Sequence, residues 1–229
     1  MLDTAKVLEF FNAENIKHPV HVLGCGAVGS HICEQLARIG CTEVHIWDFD
    51  EVEAKNVTNQ LFTQEHIGME KTAAVADIMH SINPDMVIHI HGKVTIPCKQ
   101  YIQGYVFLCV DNIELRKAIV EDLQYSPMVK SFADFRMRLV DAQYYHARTS
   151  EEAEMTAFLD TMQFTHDEAV AATPVSACGV QLSVCYTPKG IAGIGIANFV
   201  KEIIGEPIHD MVLVNYDTMY MMALPKGGH

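Results

Sequence analysis

Residues 20–30 read Val20-His21-Val22-Leu23-Gly24-Cys25-Gly26-Ala27-Val28-Gly29-Ser30, and this stretch decides the fold. A short apolar run meets a GxGxxG turn, and an amphipathic segment follows as far as Ile39, where Gly40 stops it. In a strand–turn–helix unit the three glycines have separate duties. Gly24 permits the tight turn, Gly26 lets the backbone approach a phosphate, and Gly29 lets helix and strand pack closely. The helix N-terminus then faces an anion. The stretch is read as a nucleotide-binding turn, against the alternative of a purely structural glycine turn.

Outward from this unit, strands at 18–23, 43–47 (EVHIW), 86–90 and 105–110 alternate with helices at 30–39, 68–81 and 113–123. Such alternation implies a mostly parallel sheet. Residues 1–17 are also read as a helix. Beyond 125 the pattern changes: one or two long strands at 130–147, a helix at 151–162, an apolar helix at 192–204 ended by Gly205 and Pro207, and closing strands at 211–215 and 219–224. The expected fold is α/β, a Rossmann-like, doubly wound, mostly parallel sheet extended by antiparallel strands in the C-terminal part. It is read as one domain over 1–229. Residues 1–125 form its nucleotide-binding half, and 126–229 carry the sheet extension, a crossover segment and the C-terminal helix.

Composition narrows the setting. The chain is 49% hydrophobic and 20% charged, enough apolar material for a sizeable core. No apolar run reaches the ~20 residues of a membrane span, and the start lacks the basic and apolar regions of a signal peptide. The net charge of −13 repels phosphate backbones, so neither a nucleic acid nor a membrane is expected as partner. Seven cysteines, an odd number without a CxxC pair, imply reduced thiols and a cytoplasmic setting, and no structural zinc is expected.

Asp48 ends the second strand, 22 residues beyond Gly26, where an acid holds a ribose hydroxyl; its alternative duty is to cap a turn. Up to this point NAD and ATP fit equally. The next segment runs Asp48-Phe49-Asp50-Glu51-Val52-Glu53, then Asn56, Asn59-Gln60, Gly68 and Lys71. Asn83-Pro84 precedes the third strand and Cys109-Val110-Asp111-Asn112 ends the fourth. This order resembles the ThiF/MoeB/E1 family of adenylating enzymes, whose pattern is D-x-D-x-V-E, two residues, N-L-x-R-Q, then G-x-x-K. The resemblance is strong over 20–112 and looser beyond, where it takes in Cys178-Gly179-Val180.

The resemblance implies ATP with Mg²⁺ and a set of roles. Gly24, Gly26, Gly29, Asp48, Asn56, Gln60 and Lys71 bind ATP. Lys71 and Asp111 serve catalysis, with Asn59 a further catalytic candidate at the family's Arg position, and Asp111 holds the Mg²⁺. The partner is a ubiquitin-like or sulfur-carrier protein ending in Gly-Gly, and a homodimer is expected. Read alone, Lys71 is a solvated first-turn residue, Asn56 a turn residue, and Asp111 a cap for the following helix.

Two departures matter. Asn59 stands where the family has Arg, and residues 1–20 contain no Arg to lend from a partner subunit. Asn donates hydrogen bonds but brings no cation. Arg38, Arg116, Arg136 and Arg138 are candidate replacements, although Arg136 and Arg138 also read as a solvated strand face. Cys178 is a candidate acyl acceptor and Cys185 a weaker one. The polar segment 151–173 is a candidate lid. His89 and His91 share a strand face without further identifiable ligands, and are read as polar surface. Three functions stand: adenylation of a Gly-Gly terminus, a nucleotide-binding scaffold with weakened chemistry, and an NAD-dependent oxidoreductase.

Overall fold

The computed structural model describes residues 2–177 and 181–225. Eight strands form one sheet: β1 (Val20–Leu23), β2 (Glu43–Trp47), β3 (Val87–His91), β4 (Gly104–Leu108), β5 (Val129–Arg138), β6 (Asp141–Arg148), β7 (His209–Asn215) and β8 (Tyr220–Pro225). Their order is β3-β2-β1-β4-β5-β6-β7-β8. β1 to β5 run parallel, and β6, β7 and β8 continue the sheet antiparallel. The expected α/β fold with an antiparallel C-terminal extension is therefore observed.

Helices cover both faces. α1 (Ala27–Arg38), α2 (Lys71–Ile82) and α6 (Tyr186–Ile204) pack on one side, over a core containing Val22, Ile32, Leu36, Val44, Met79 and Phe199. α3 (Ile113–Leu123) and α4 (Glu152–Asp160) pack on the other, with Leu108, Ile119, Phe132 and Phe158. A short α5 (His166–Ala171) follows. The chain leaves β1 toward β2 and β3, then returns to place β4 on β1's other side. Strand order reverses between β1 and β4, and in such sheets the ligand crevice lies outside the carboxyl ends at that point.

Two sequence expectations require correction. The described part of the expected first helix, residues 2–17, is not an α-helix. Leu8 and Phe11 bond back to Thr4 and Val7, and then Asn12 accepts from the Glu14 amide and starts a 3-10 turn. A side chain that competes for backbone donors interrupts the helical ladder there. The last helix begins at Tyr186, not 192. Its first turns contain Pro188 and Gly190, yet Pro costs little in a first turn, where its missing N–H has no partner. Gly190 and Gly195 are dictated by contact: a Cβ would lie 1.8 Å from the Tyr216 hydroxyl and 2.3 Å from the Phe135 ring, respectively. Among the described residues, no helix is long and apolar enough to cross a membrane.

Candidate functional site

The glycine turn joins β1 to α1, and its three glycines differ in what confines them. Gly24 has φ +97°, and a Cβ there would sit 2.8 Å from the backbone of Cys109 and Val110, at the end of β4. At Gly29 a Cβ would meet the Gly24 carbonyl at 1.8 Å. Both are fixed by the protein's own packing. Gly26 is not: its φ is −78° and a Cβ would find nothing within 4 Å. It caps the 12-residue helix α1 without a side-chain hydrogen bond, and the space beside its Cα is open. That is a cradle for an anion.

Asp48 closes one wall. Its Oδ2 accepts from the Cys25 amide at 2.7 Å, and its Oδ1 accepts from the Phe49 and Asp50 amides at 2.8 and 2.9 Å. The carboxylate thus ties the glycine turn to the end of β2. Beyond it, Lys71 Nζ lies 2.7 Å from Asp50 Oδ2, and the Lys71 amide donates to the Asp50 carbonyl. Lys71 is only 8% exposed, so it is not a solvated first-turn residue. Sequence reading misses Asp50 as its partner; the D-x-D spacing is the available clue. Lys93 adds a second cation, 5.0 Å over the exposed Phe49 ring.

Asn56 is buried, and its Oδ1 accepts from the Glu53 amide while its carbonyl accepts from the Gln60 amide. It stiffens the 3-10 turn Ala54–Thr58. Gln60 Oε1 is buried and has no hydrogen-bond partner among the described residues. Asn59 donates from Nδ2 to Ser183 Oγ at 2.8 Å, clasping this turn to the approach to α6.

Asp111 lies three residues past β4 and is exposed. It does not cap α3: Asn112 does, accepting from the Leu115 amide at 2.8 Å. Asp111 follows Cys109 and Val110, whose backbone borders Gly24, and its exposed carboxylate is a hard oxygen donor suited to Mg²⁺.

The candidate arginines have other duties. Arg38 ends α1, at the helix terminus far from the glycine turn, and pairs with Glu34 at 2.8 Å. Arg116 donates to Asp134, to the Phe135 carbonyl and to the Val110 carbonyl. Arg136 donates to Asp134 at 2.6 Å and to Thr161, and lies over the Tyr145 ring. Asp134 has no exposed surface, so two guanidiniums neutralise one buried carboxylate. Arg136 is therefore no part of a solvated face. Arg138, half exposed beside Asp141, alone fits that description.

The thiols sort by burial. Cys25, Cys33, Cys41 and Cys98 are buried. A neighbouring Cys25 thiol, reinforced by burial, holds the Cys33 thiol well above its usual range. Burial likewise pushes Cys41 up to about 11 and Cys98 up to about 12, and raises Cys109. None of Cys33, Cys41, Cys98 and Cys109 forms a thiolate near neutral pH. Cys185 is exposed at the N-cap of α6. Cys178 lies outside the described residues.

The candidate lid divides in two. Met155, Phe158 and Met162 are buried in the second core, so the α4 half is packed structure. The later part differs: α5 contains no buried residue.

Comparison with known proteins bears on the family and the fold. The model of the ThiF family matches residues 13–222. The ubiquitin-like modifier-activating enzyme 5 of Dictyostelium discoideum is 34% identical over 125 residues, covering 47% of this chain and 33% of that protein. Its Arabidopsis thaliana counterpart is 32% identical over 129 residues, covering 47% and 30%. The matched stretch thus spans about a third of the length of these curated relatives. Among solved structures, E. coli MccB with ATP superposes with a TM-score of 0.71 at 16% identity, covering 94% of this chain and 66% of that one. PaaA superposes with a TM-score of 0.70 at 15% identity, covering 93% and 74%.

Proposed function

The chain belongs to the ThiF family, and we propose that it adenylates the C-terminal glycine of a ubiquitin-like or sulfur-carrier protein ending in Gly-Gly, using ATP with Mg²⁺ and releasing pyrophosphate. The observation that carries this reading is the open cradle at Gly26, flanked at the carboxyl ends of neighbouring strands by the buried cation Lys71 and the exposed carboxylate Asp111. Similarity to ubiquitin-like modifier-activating enzymes supports the partner class, and a structural neighbour solved with ATP, MccB, supports the nucleotide.

The chemistry suits such a site. A carboxylate oxygen of the partner's last glycine bonds to the α-phosphorus of ATP, the bond to the β-phosphoryl oxygen breaks, and pyrophosphate leaves. No proton transfer is required, because the attacking carboxylate is already ionised. Charge builds on the phosphoryl oxygens, so catalysis needs positioned donors and cations rather than a base. Gly24, Gly26 and Gly29 would shape the turn around the phosphates, Asp48 would take the ribose, and Asn56 and Gln60 would border the triphosphate. Lys71 would supply a fixed point charge. Asp111 would hold Mg²⁺, which supplies charge neutralisation on the phosphates when bound. A homodimer and a cytoplasmic setting complete the proposal.

A second reading has its own support. Asn59 is spent on Ser183, and Arg38, Arg116 and Arg136 are engaged elsewhere. A scaffold that binds nucleotide without turning it over follows if Lys71 and Lys93 do not replace the family's guanidinium. An NAD-dependent oxidoreductase gains no support from ThiF membership. Incubation with ATP, Mg²⁺ and a small Gly-Gly-ending protein, followed by intact-mass analysis of that protein, separates the readings. An AMP adduct on the partner supports adenylation; bound ATP with no adduct supports the scaffold.

A further inference from the structure

β1, β2 and β3 carry histidine at one register row: His21 pairs with His45, and His45 with His89. Because side chains alternate along a strand, this row lies on a single face, the one opposite α1 and α2. Glu43 is two residues before His45 and His91 two after His89, so both share that face. The rings stack: His21 on His45 at 4.4 Å, His45 on His89 at 4.3 Å, and His91 on Trp47 at 4.0 Å. Sequence reading finds only His89 and His91, since the other members reach them through strand pairing.

From this cluster we propose that Glu43, His45 and His89 form a binding site for a divalent transition-metal ion of the zinc class, built across β2 and β3 at the sheet edge. One ligand atom from each of the three lies within 4.8 Å of the others. His89 Nε2 is 2.8 Å from Glu43 Oε1; a metal ion would replace the proton between them, the imidazole proton moving to Nδ1. Two imidazoles and a carboxylate are a donor set that zinc accepts, leaving a fourth position for water.

The surroundings are those of a ligated histidine. A metal-binding imidazole usually engages its other nitrogen with a fixed partner, which sets ring orientation and tautomer. His45 Nδ1 lies 3.0 Å from His91 Nε2, so Nε2 of His45 is the nitrogen left for a metal. Trp47 Nε1 donates to His21 Nδ1 at 3.2 Å, fixing the ring that stacks behind His45. Such a site departs from the sequence expectation of no structural zinc, because Glu43 and His45 join His89 only through strand pairing.

The site also has a use. β3 is an edge strand whose one neighbour in the sheet is β2, and it exposes Val87 and Ile90. A metal bridging the two strands would pin that edge. The His91 carbonyl accepts from the Asp48 amide at 3.3 Å, so the pinned strand also supports the end of β2 at the nucleotide crevice.

The test is calorimetric titration of the metal-free full chain with Zn²⁺, with Co²⁺ absorption as a report on coordination. One saturable ion per chain is expected, with a raised thermal midpoint. His89→Ala and Glu43→Gln should each weaken binding roughly tenfold or more, the range in which even indirect partners of a metal matter. Both side chains are about half exposed, and circular dichroism checks that the variants fold. Asp210→Asn, in the separate His146–Glu154–Asp210 group, should leave binding unchanged. Absent saturable binding, binding intact in both variants, or binding lost in Asp210→Asn would overturn the proposal.

Discussion

Lys71 Nζ stands 2.7 Å from Asp50 Oδ2, the lysine buried and the aspartate half exposed. The ammonium is thus held inside the crevice before any phosphate arrives. Lys71→Met keeps the aliphatic stem, and the exposed Asp50 can rehydrate; ATP affinity should fall tenfold or more, about 1.4 kcal/mol. Asp50→Asn leaves the buried ammonium without its counter-charge and should cost about 1–3 kcal/mol. Phosphate would then serve as counter-ion, so thermal-shift assays should show a larger ATP-induced rise in Asp50→Asn than in the parent and a smaller one in Lys71→Met. Equal shifts in all three would separate Lys71 from the phosphates.

Gly26 offers a cleaner probe of the cradle than its neighbours. A Cβ there meets nothing within 4 Å, but ψ is −142°, outside the β and αR wells, so Gly26→Ala should fold with a stability loss of about 1–3 kcal/mol. The methyl group would occupy the space assigned to phosphate, so ATP affinity should drop at least tenfold. Gly29→Ala, 1.8 Å from a carbonyl, should instead impair folding. Parent-like ATP binding by Gly26→Ala would contradict the cradle.

Much of this is legible in the sequence, because local rules govern it. The helix Ile113–Leu123 and the strand Glu43–Trp47 can be read to the residue, since their periodicity and end signals agree with their packing. The glycine turn, Asp48 and Lys71 stand out because they lie in one continuous motif. What escapes sequence reading depends on partners distant in the chain. Asp134 gathers Arg116 and Arg136 from different elements, Ser183 reaches Asn59 across 124 positions, and the histidine row exists only once three strands are in register. No spacing rule within a segment reveals such pairs.

The Asp134 network should govern stability rather than nucleotide binding. Asp134→Asn leaves two buried guanidiniums short of a counter-charge, a loss of about 3–5 kcal/mol. Thermal unfolding should show a midpoint lowered on the order of 10 °C, with ATP affinity nearly unchanged below the transition. Arg138→Met, at a half-exposed pair, should shift the midpoint little. A large loss of ATP affinity in Asp134→Asn without loss of stability would assign the network to the site.

Thiol accessibility bears on the acyl acceptor. Brief iodoacetamide treatment of the native protein, read by peptide mass mapping, should label Cys185 and spare Cys25, Cys33, Cys41 and Cys98. The protected four should react only after denaturation. Labelling of Cys33 as fast as Cys185 would contradict its burial. If a thioester forms with the partner, Cys178→Ala and Cys185→Ala compared side by side identify its carrier.

Adenylation itself is read most directly by Mg²⁺-dependent exchange of labelled pyrophosphate into ATP, run with and without a small Gly-Gly-ending protein, in the parent and in Asp111→Ala. Exchange should appear only with that partner and fall roughly 100-fold or more in Asp111→Ala. Tight ATP binding with no exchange under any of these conditions would contradict catalysis and leave a nucleotide-binding scaffold.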